Sequence, residues 1–436
     1  MLKELTVLCT TSVLNPRQPL SGSKWLMLLL PAIFLAACSP KIRPVVVQQP
    51  ATKTQEEVTK EKEAAEKAAA AKAAAEVPVV KPKRIPSIAL LLPFALDPAD
   101  PKTVTKNQVK TNIAVDFYEG FKLALDSLTS SGQSFKLTVL DTRDEESQAQ
   151  RLAADPAVRN SDLVVGPIFP AGVQAFSARI SNLHKPVVSP LSATSPAGYH
   201  NESLITLTPP LEFHAWRVAQ YIQENIRPKV VYILRSGFSE ENKYILPFKR
   251  SIDSLSHKRI RIVDVTISKG NFSALLPSLS KTSENVFVMP ATDRSFLRVM
   301  FQALDKLADT YPIQLFGHPN WNKATFLRQE VLEKMHTCIT SAYQVNYKSA
   351  ETSNFIKSFR RTYHTEPGEY AIKGFDTGLY FGKLVADPAA DFNHLQNMPF
   401  DALHNHFEFV KKKGYGWINT YVELLQYEDY TLKPVK

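Results

Sequence analysis

From residue 87 onward, short apolar runs alternate with stretches of helical period, and that alternation restricts the fold more than any other property of the chain. "SIALLLPF" is a continuous apolar run closed by Pro93, the pattern of a strand buried on both faces of a parallel sheet. In "AVDFYEGFKLALDSLTSSG", Val115, Tyr118, Phe121, Leu123, Leu125 and Leu128 mark an amphipathic helix that Gly132 ends. "FKLTVLDT", "SDLVVGP" and "KPVVSP" follow as strands with helical segments between them. The series then restarts: "PLEFHAWRVAQYIQENI", "YILPFKRSIDSLS", "NFSALLPSLS" and "RSFLRVMFQALDKLA" read as helices, and "KVVYIL", "IRIVDVTI", "NVFVMP" and "IQLFGHP" as strands. Strands alternating with helices imply right-handed crossovers and parallel sheets, so the expected class is α/β with two lobes in series.

At the carboxyl end of "KPVV" stands "SPLSATSP", a loop dense in small hydroxylated residues. Such residues cap helices by accepting orphan backbone N–H bonds. They also build the lips of pockets, and in open α/β sheets ligands bind at the carboxyl ends of strands. The position of this loop favours the lip.

Upstream, Lys24 precedes "WLMLLLPAIFLAACS", an apolar run of 13 residues before Cys38. That is a positive region, a hydrophobic region and a small-residue cleavage site, too short to span a bilayer, which needs about 20 residues. "LAAC" resembles a bacterial lipobox, which implies residues 1–37 as a signal peptide and acyl chains (palmitate among them) on Cys38. Residues 38–84 read as a lipid-anchored tether: a Pro-punctuated segment, then "TQEEVTKEKEAAEKAAAAKAAAE", whose helix formers and i,i+4 Glu/Lys pairs predict a solvated helical spacer. The expected location is the cell envelope, lipid-anchored at the outer membrane and facing the periplasm.

The net charge of +10 is concentrated in this leader: residues 1–84 hold 13 basic against 7 acidic residues, and the remainder 39 against 35. The globular part is near balance and shows no basic stripe, so nucleic acid is not an expected partner. Cys9, Cys38 and Cys338 form no zinc-ribbon or disulfide pattern.

"IALLLPF", "DFYEGFKLALDSL", "LVVGPIFPAGVQAFSARISNLHKPVVSPLSATSP", "NFSALLPSLS" and "AIKGFDTGLYFGKLV", in that order, resemble the type I periplasmic binding proteins of the leucine/isoleucine/valine-receptor kind. The resemblance implies two Rossmann-like lobes with parallel sheets around a hinged cleft. Three chain crossings are expected near 207–210, 342–347 and 416–422. Lobe one would combine residues 85–208 with 346–415, and lobe two residues 209–345 with 416–436. It further implies a small polar ligand of amino-acid, peptide or muropeptide kind, bound by Ser192, Ala193 and Thr194 from the first lobe. Asp293, His318, Asn320 and Trp321 would line the second wall. The family's serine after the "VGP"-type turn is replaced by Pro170 and Ala171, which removes a hydroxyl and a donor N–H, so an unmodified amino acid fits the resemblance poorly. With its leader and tether the chain also resembles the penicillin-binding-protein activator lipoproteins. Two readings stay open: a solute receptor serving an ABC permease, and a regulator that contacts a peptidoglycan synthase with a vestigial cleft.

No G-x-S-x-G, H-E-x-x-H, Walker-type or G-x-G-x-x-G motif occurs. "HNH" at His404–His406 lies in "FDALHNHFEFVKKKG", which reads as a helix, where i,i+2 residues share no face and hold no metal together. "DTRDEES" reads as acidic capping of the following helix. No enzyme activity, cofactor or metal is expected.

Overall fold

The computed structural model describes residues 59–60, 62–67, 84–95 and 101–435. The chain divides into two units, Met1–Lys81 and Pro82–Lys436. In the first, residues 59–60 and 62–67 are helical, within the stretch read as a spacer. Cys38 and the apolar run before it lie outside the described residues. No described helix is long and apolar enough to cross a membrane.

The second unit opens with β1 (Ser87–Leu92), β2 (Lys136–Asp141), β3 (Leu163–Val165), β4 (Val187–Ser189) and β5 (Leu204–Thr206). A second series follows: β6 (Val230–Arg235), β7 (Arg261–Thr266), β8 (Asn285–Met289), β9 (Ile313–Gly317) and β10 (Cys338–Ser341). The chain ends with β11 (Phe400–Asp401), β12 (His406–Phe407), β13 (Phe409–Lys412), β14 (Gly416–Asn419), β15 (Glu423–Glu428) and β16 (Thr431–Pro434). Two seven-stranded sheets result, ordered β13-β14-β5-β4-β3-β1-β2 and β16-β15-β10-β9-β8-β6-β7. Within each, the strands of the βα series are parallel, and antiparallel pairing is confined to the C-terminal strands. Sequence explains the layering: β3, β4, β8 and β9 are buried throughout, as continuous apolar runs require, while the edge strands β2 and β7 are half-exposed.

Helices cover the sheets: α1 (Pro101–Ser130), α2 (Glu146–Leu152), α3 (Pro156–Arg159), α4 (Pro170–Ile180), α5 (Leu211–Tyr221), α6 (Asn242–Leu255), α7 (Arg294–Ala308), α8 (Gln329–Lys334), α9 (Ala350–Tyr363) and α10 (Glu369–Ala386). One face of the lobe-one sheet meets Phe117 and Phe121 of α1 and Phe381 of α10; the other meets Val173 and Phe176 of α4. The segments α9 and α10 return to lobe one, where Phe355, Phe359, Ala371 and Ile372 pack on Leu123.

α10 lies against α1 at backbone contact. Gly374, Gly378 and Gly382 repeat every fourth residue and so share one helix face. A Cβ on Gly374 would stand 2.1 Å from the Phe117 carbonyl oxygen, and one on Gly120 of α1 would stand 1.8 Å from that of Ala371. Glycine is present because no side chain fits.

The chain passes between lobes three times, after β5, after β10 and between β14 and β15. Asn419, fully buried at the third passage, ties it to the first: its amide donates to the carbonyls of Leu207 (3.0 Å) and His406 (3.2 Å) and its oxygen accepts from the N–H of Glu408 (3.0 Å).

Four expectations change. The lobe boundary at 416 moves, because Trp417 and Ile418 of β14 pair with β5 inside the lobe-one sheet and only residues from 420 cross over. The segment around His404–His406 is strand and turn, not helix: Phe407 and Phe409 are both buried at a spacing of two, the strand period. "NFSALLPSLS" forms turns and a short 3₁₀ segment, Leu276–Ser278, with Pro277 inside it. In "DTRDEES" only part serves the helix: Glu146 stands in the first turn of α2, while the Asp141 carboxylate accepts from the N–H of Phe94 (3.0 Å), Ala95 (3.2 Å) and Arg143 (2.8 Å), fixing the turn that ends β1.

Candidate functional site

The two sheets turn their carboxyl strand ends toward a common cleft of about 1140 Å³. β4 runs into the Pro190–Ser195 loop, and β6, β8, β9 and β10 run into Ser236, Pro290–Asp293, His318–Asn322 and Ala342–Tyr343. The volume lies just above the usual range for small-molecule sites, about 300–1,000 Å³.

Of the residues expected to bind, Ala193, Thr194, Asp293, His318 and Asn320 line this cleft, and Ser192 and Trp321 do not. Ser192 is 2 % exposed and accepts the Thr194 N–H at 3.4 Å, so its hydroxyl caps the turn. Ser195, its neighbour in the same loop, faces the cleft instead. Trp321 is core: its indole N–H donates to the Ala291 carbonyl (2.8 Å), and its ring packs edge-on against Phe301. Asp293 is the N-cap of α7, accepting the Phe296 N–H at 2.7 Å, which commits one of its oxygens. Pro170 stands on the wall, as the first residue of α4.

Several groups on these walls carry no sequence motif. Ser195 donates to Glu212 of α5 at 2.9 Å, across the lobes. Glu369, opening α10 in lobe one, pairs with Lys373 at 2.6 Å and with Lys323 of lobe two at 3.4 Å. The Lys373 ammonium lies 5.3 Å from the Tyr343 ring centroid and 5.6 Å from that of Tyr370, in cation–π range. Burial pushes the Glu369 carboxyl up, but Lys373 and then Lys323 more than offset it and hold it below its ordinary range. The more deeply buried Lys373 is held below its ordinary value by that burial, against the pull of Glu369. The pair is therefore uneven: the carboxylate is secured, and the ammonium is under-solvated.

On the lobe-two side, His214, Thr340, His318 and Tyr244 form a polar, uncharged patch of the floor, with Asp293, Glu240, Glu241 and Lys243 around it. His214 is 6 % exposed and shares a 2.9 Å hydrogen bond with the Thr340 hydroxyl. Burial, then the neighbouring His318, lowers it to about 3. His318 is lowered by burial to about 4, and its Nδ1 accepts the Asn320 N–H at 3.1 Å. Tyr244 of α6 lies beside it with ring centroids 6.2 Å apart. Neutral donors at the floor and a charged cluster at the wall equip the cleft to hold a polar molecule by both ends. Among the described residues no group of three metal-ligating side chains occurs. His404 instead pairs with the fully buried Asp376 at 2.5 Å, which also accepts the N–H of Leu403 (2.9 Å) and His404 (3.0 Å).

Two α/β lobes, three crossings and a cleft at opposed strand ends define the fold of the type I periplasmic binding proteins. Solved structures agree. A substrate-binding protein of an ABC transporter from Desulfitobacterium hafniense, in complex with Leu, superposes with a TM-score of 0.53 at 18% identity, covering 81% of this chain and 100% of that one. A branched-chain amino acid transporter protein from Rhodospirillum rubrum gives 0.59 at 14% identity, covering 81% and 100%. A periplasmic ligand-binding protein from Burkholderia xenovorans gives 0.55 at 14%, covering 80% and 94%. No protein-family model and no curated protein sequence matches the chain.

Proposed function

We propose that this protein is a non-enzymatic receptor that holds a small polar ligand between its lobes. The observation that carries this is the cleft itself, lined from both lobes at the carboxyl ends of both sheets and bridged by Ser195–Glu212 and Lys323–Glu369. One solved structure of this fold is described in complex with Leu and another as a branched-chain amino acid ABC transporter protein, which supports the same use here. Replacing Thr194 with valine and Ser195 with alanine together should weaken a cleft ligand about 5- to 100-fold, the effect of removing buried hydrogen-bond partners. Thermal-shift titration of the 82–436 unit with amino acids and short peptides measures it. Stabilisation that survives the double change would locate the ligand elsewhere. If no compound stabilises the unit, the reading gives way to a protein partner, for which co-purification with a peptidoglycan synthase is the test.

The finer proposal is an envelope lipoprotein. It rests on "LAAC" ending a short apolar run and on the Ala/Glu/Lys tether behind it. Cys38→Ala should move the protein from the membrane to the soluble periplasmic fraction on cell fractionation, and unchanged membrane retention would sink the idea.

A further inference from the structure

We infer that the lobe-two floor of the cleft is a subsite for an uncharged carbonyl, and that the ligand is a short peptide whose amide sits there. This rests on the receptor reading above. His318 accepts the Asn320 N–H through Nδ1, so the proton of its neutral ring is on Nε2, which is a donor with no charge. Tyr244 also lines the cleft; it is 1 % exposed, and its hydroxyl has no hydrogen-bond partner within the protein, among the described residues. A hydroxyl left unsatisfied at that depth calls for a specific explanation. Burial raises its pKa, so it too stays neutral. His214, with its Thr340 partner, completes a patch of the floor with no formal charge.

Such a patch suits an acceptor that is itself uncharged. A carboxylate would lose its hydration for neutral donors alone, and an ammonium would meet donors instead of acceptors. The charges lie around it: Glu212 by Ser195, Glu369 with Lys323 and Lys373, and on lobe two Asp293, Glu240 paired with Lys243, and Glu241, which accepts from Ser236. A molecule that satisfies both regions carries a neutral carbonyl and a charged terminus, and the cleft of about 1140 Å³ holds more than one amino acid. A peptide has all three properties. An acylated sugar offers the carbonyl without the charged terminus.

Titration calorimetry at pH 7.5 with alanine, alanylalanine and N-acetylglucosamine separates these cases. The unaltered 82–436 unit is compared with Tyr244→Phe and with His318→Asn, which keeps an acceptor for the Asn320 N–H and deletes the Nε2 donor. Alanylalanine should bind at least about ten-fold tighter than alanine, and each variant should lose about 3- to 10-fold for the dipeptide and nothing for alanine. Without ligand, Tyr244→Phe should melt no lower than the unaltered protein, since it removes only the orphan oxygen. The subsite is overturned if the dipeptide binds no tighter than alanine or if both variants keep full dipeptide affinity. Tighter binding of N-acetylglucosamine overturns the peptide class. Binding of none of the three by the unaltered protein overturns the receptor reading beneath it.

Discussion

Gly374→Ala is expected to destabilise lobe one by at least about 3 kcal/mol, at the top of the range for overpacking a close-packed interior. The new methyl would stand 2.1 Å from the Phe117 oxygen and 2.9 Å from its carbonyl carbon, both backbone atoms that no rotamer change can clear. The helices would have to separate, and with them Phe117 and Phe121, which fill one face of the sheet. Gly198→Ala is the control, since nothing lies within 4 Å of its added methyl. Urea denaturation followed by circular dichroism reads the difference. Equal midpoints for Gly374→Ala and Gly198→Ala would refute the backbone-contact account of this helix pair.

Lowering the pH from 7.5 to 5 should cost the globular unit about 2 kcal/mol for each of His214 and His318. Their folded values, about 3 and about 4, lie below the ordinary 6.5. Above that value both folded and unfolded chains leave them neutral, and stability is unaffected. Between 6.5 and the depressed values the unfolded chain takes up protons that the folded one refuses, so stability falls with pH. Glu369 is displaced in the same direction, downward, and its contribution is lost only as pH drops through the carboxylate range below 4.5, outside this window. Denaturation midpoints at pH 7.5 and 5 are the measurement, with the His214→Gln/His318→Asn double variant showing a flattened dependence. An unaltered protein whose stability is the same at both pH values would contradict the burial of these rings as neutral groups.

The βα alternation was readable because the central strands are mostly apolar, with Ser189, Asn285 and Gln314 the polar exceptions in β4, β8 and β9, and the covering helices show apolar faces at the expected spacing. The C-terminal strands were less legible. "HFEFV" places Phe407 and Phe409 two apart, yet the flanking "FDALHN" and "KKKG" extend the pattern enough to mimic a helix. In the site, the hydroxyl-rich loop was found, but not which of its side chains turns outward. Ser192 and Ser195 are chemically alike, and the choice is made by the turn that Ser192 closes on Thr194. The charged wall was invisible for a different reason. Glu212 meets Ser195 across 17 residues and Lys323 meets Glu369 across 46, and no local pattern marks pairs that form only when two lobes face each other. Trp321 was misplaced because an aromatic at a strand end serves a core as readily as a pocket.

The placement of β14 in one sheet and β15 in the other has a bearing on how the protein is made. Strand β14 lies between β5 and β13, and β15 covers β10, so the last twenty or so residues insert into both sheets. While the chain is still emerging from a ribosome, β5 lacks its neighbour β14, and β10 presents a bare hydrogen-bonding edge. Multidomain chains commonly fold from the N-terminus in finished units as they are synthesised. Here the lobe-one sheet stays open at β5 until β14 ends at Asn419, and the lobe-two sheet stays open at β10 until β15 ends at Glu428, so for most of synthesis both nascent sheets carry open edges, surfaces on which a chaperone, or another nascent copy, could pair.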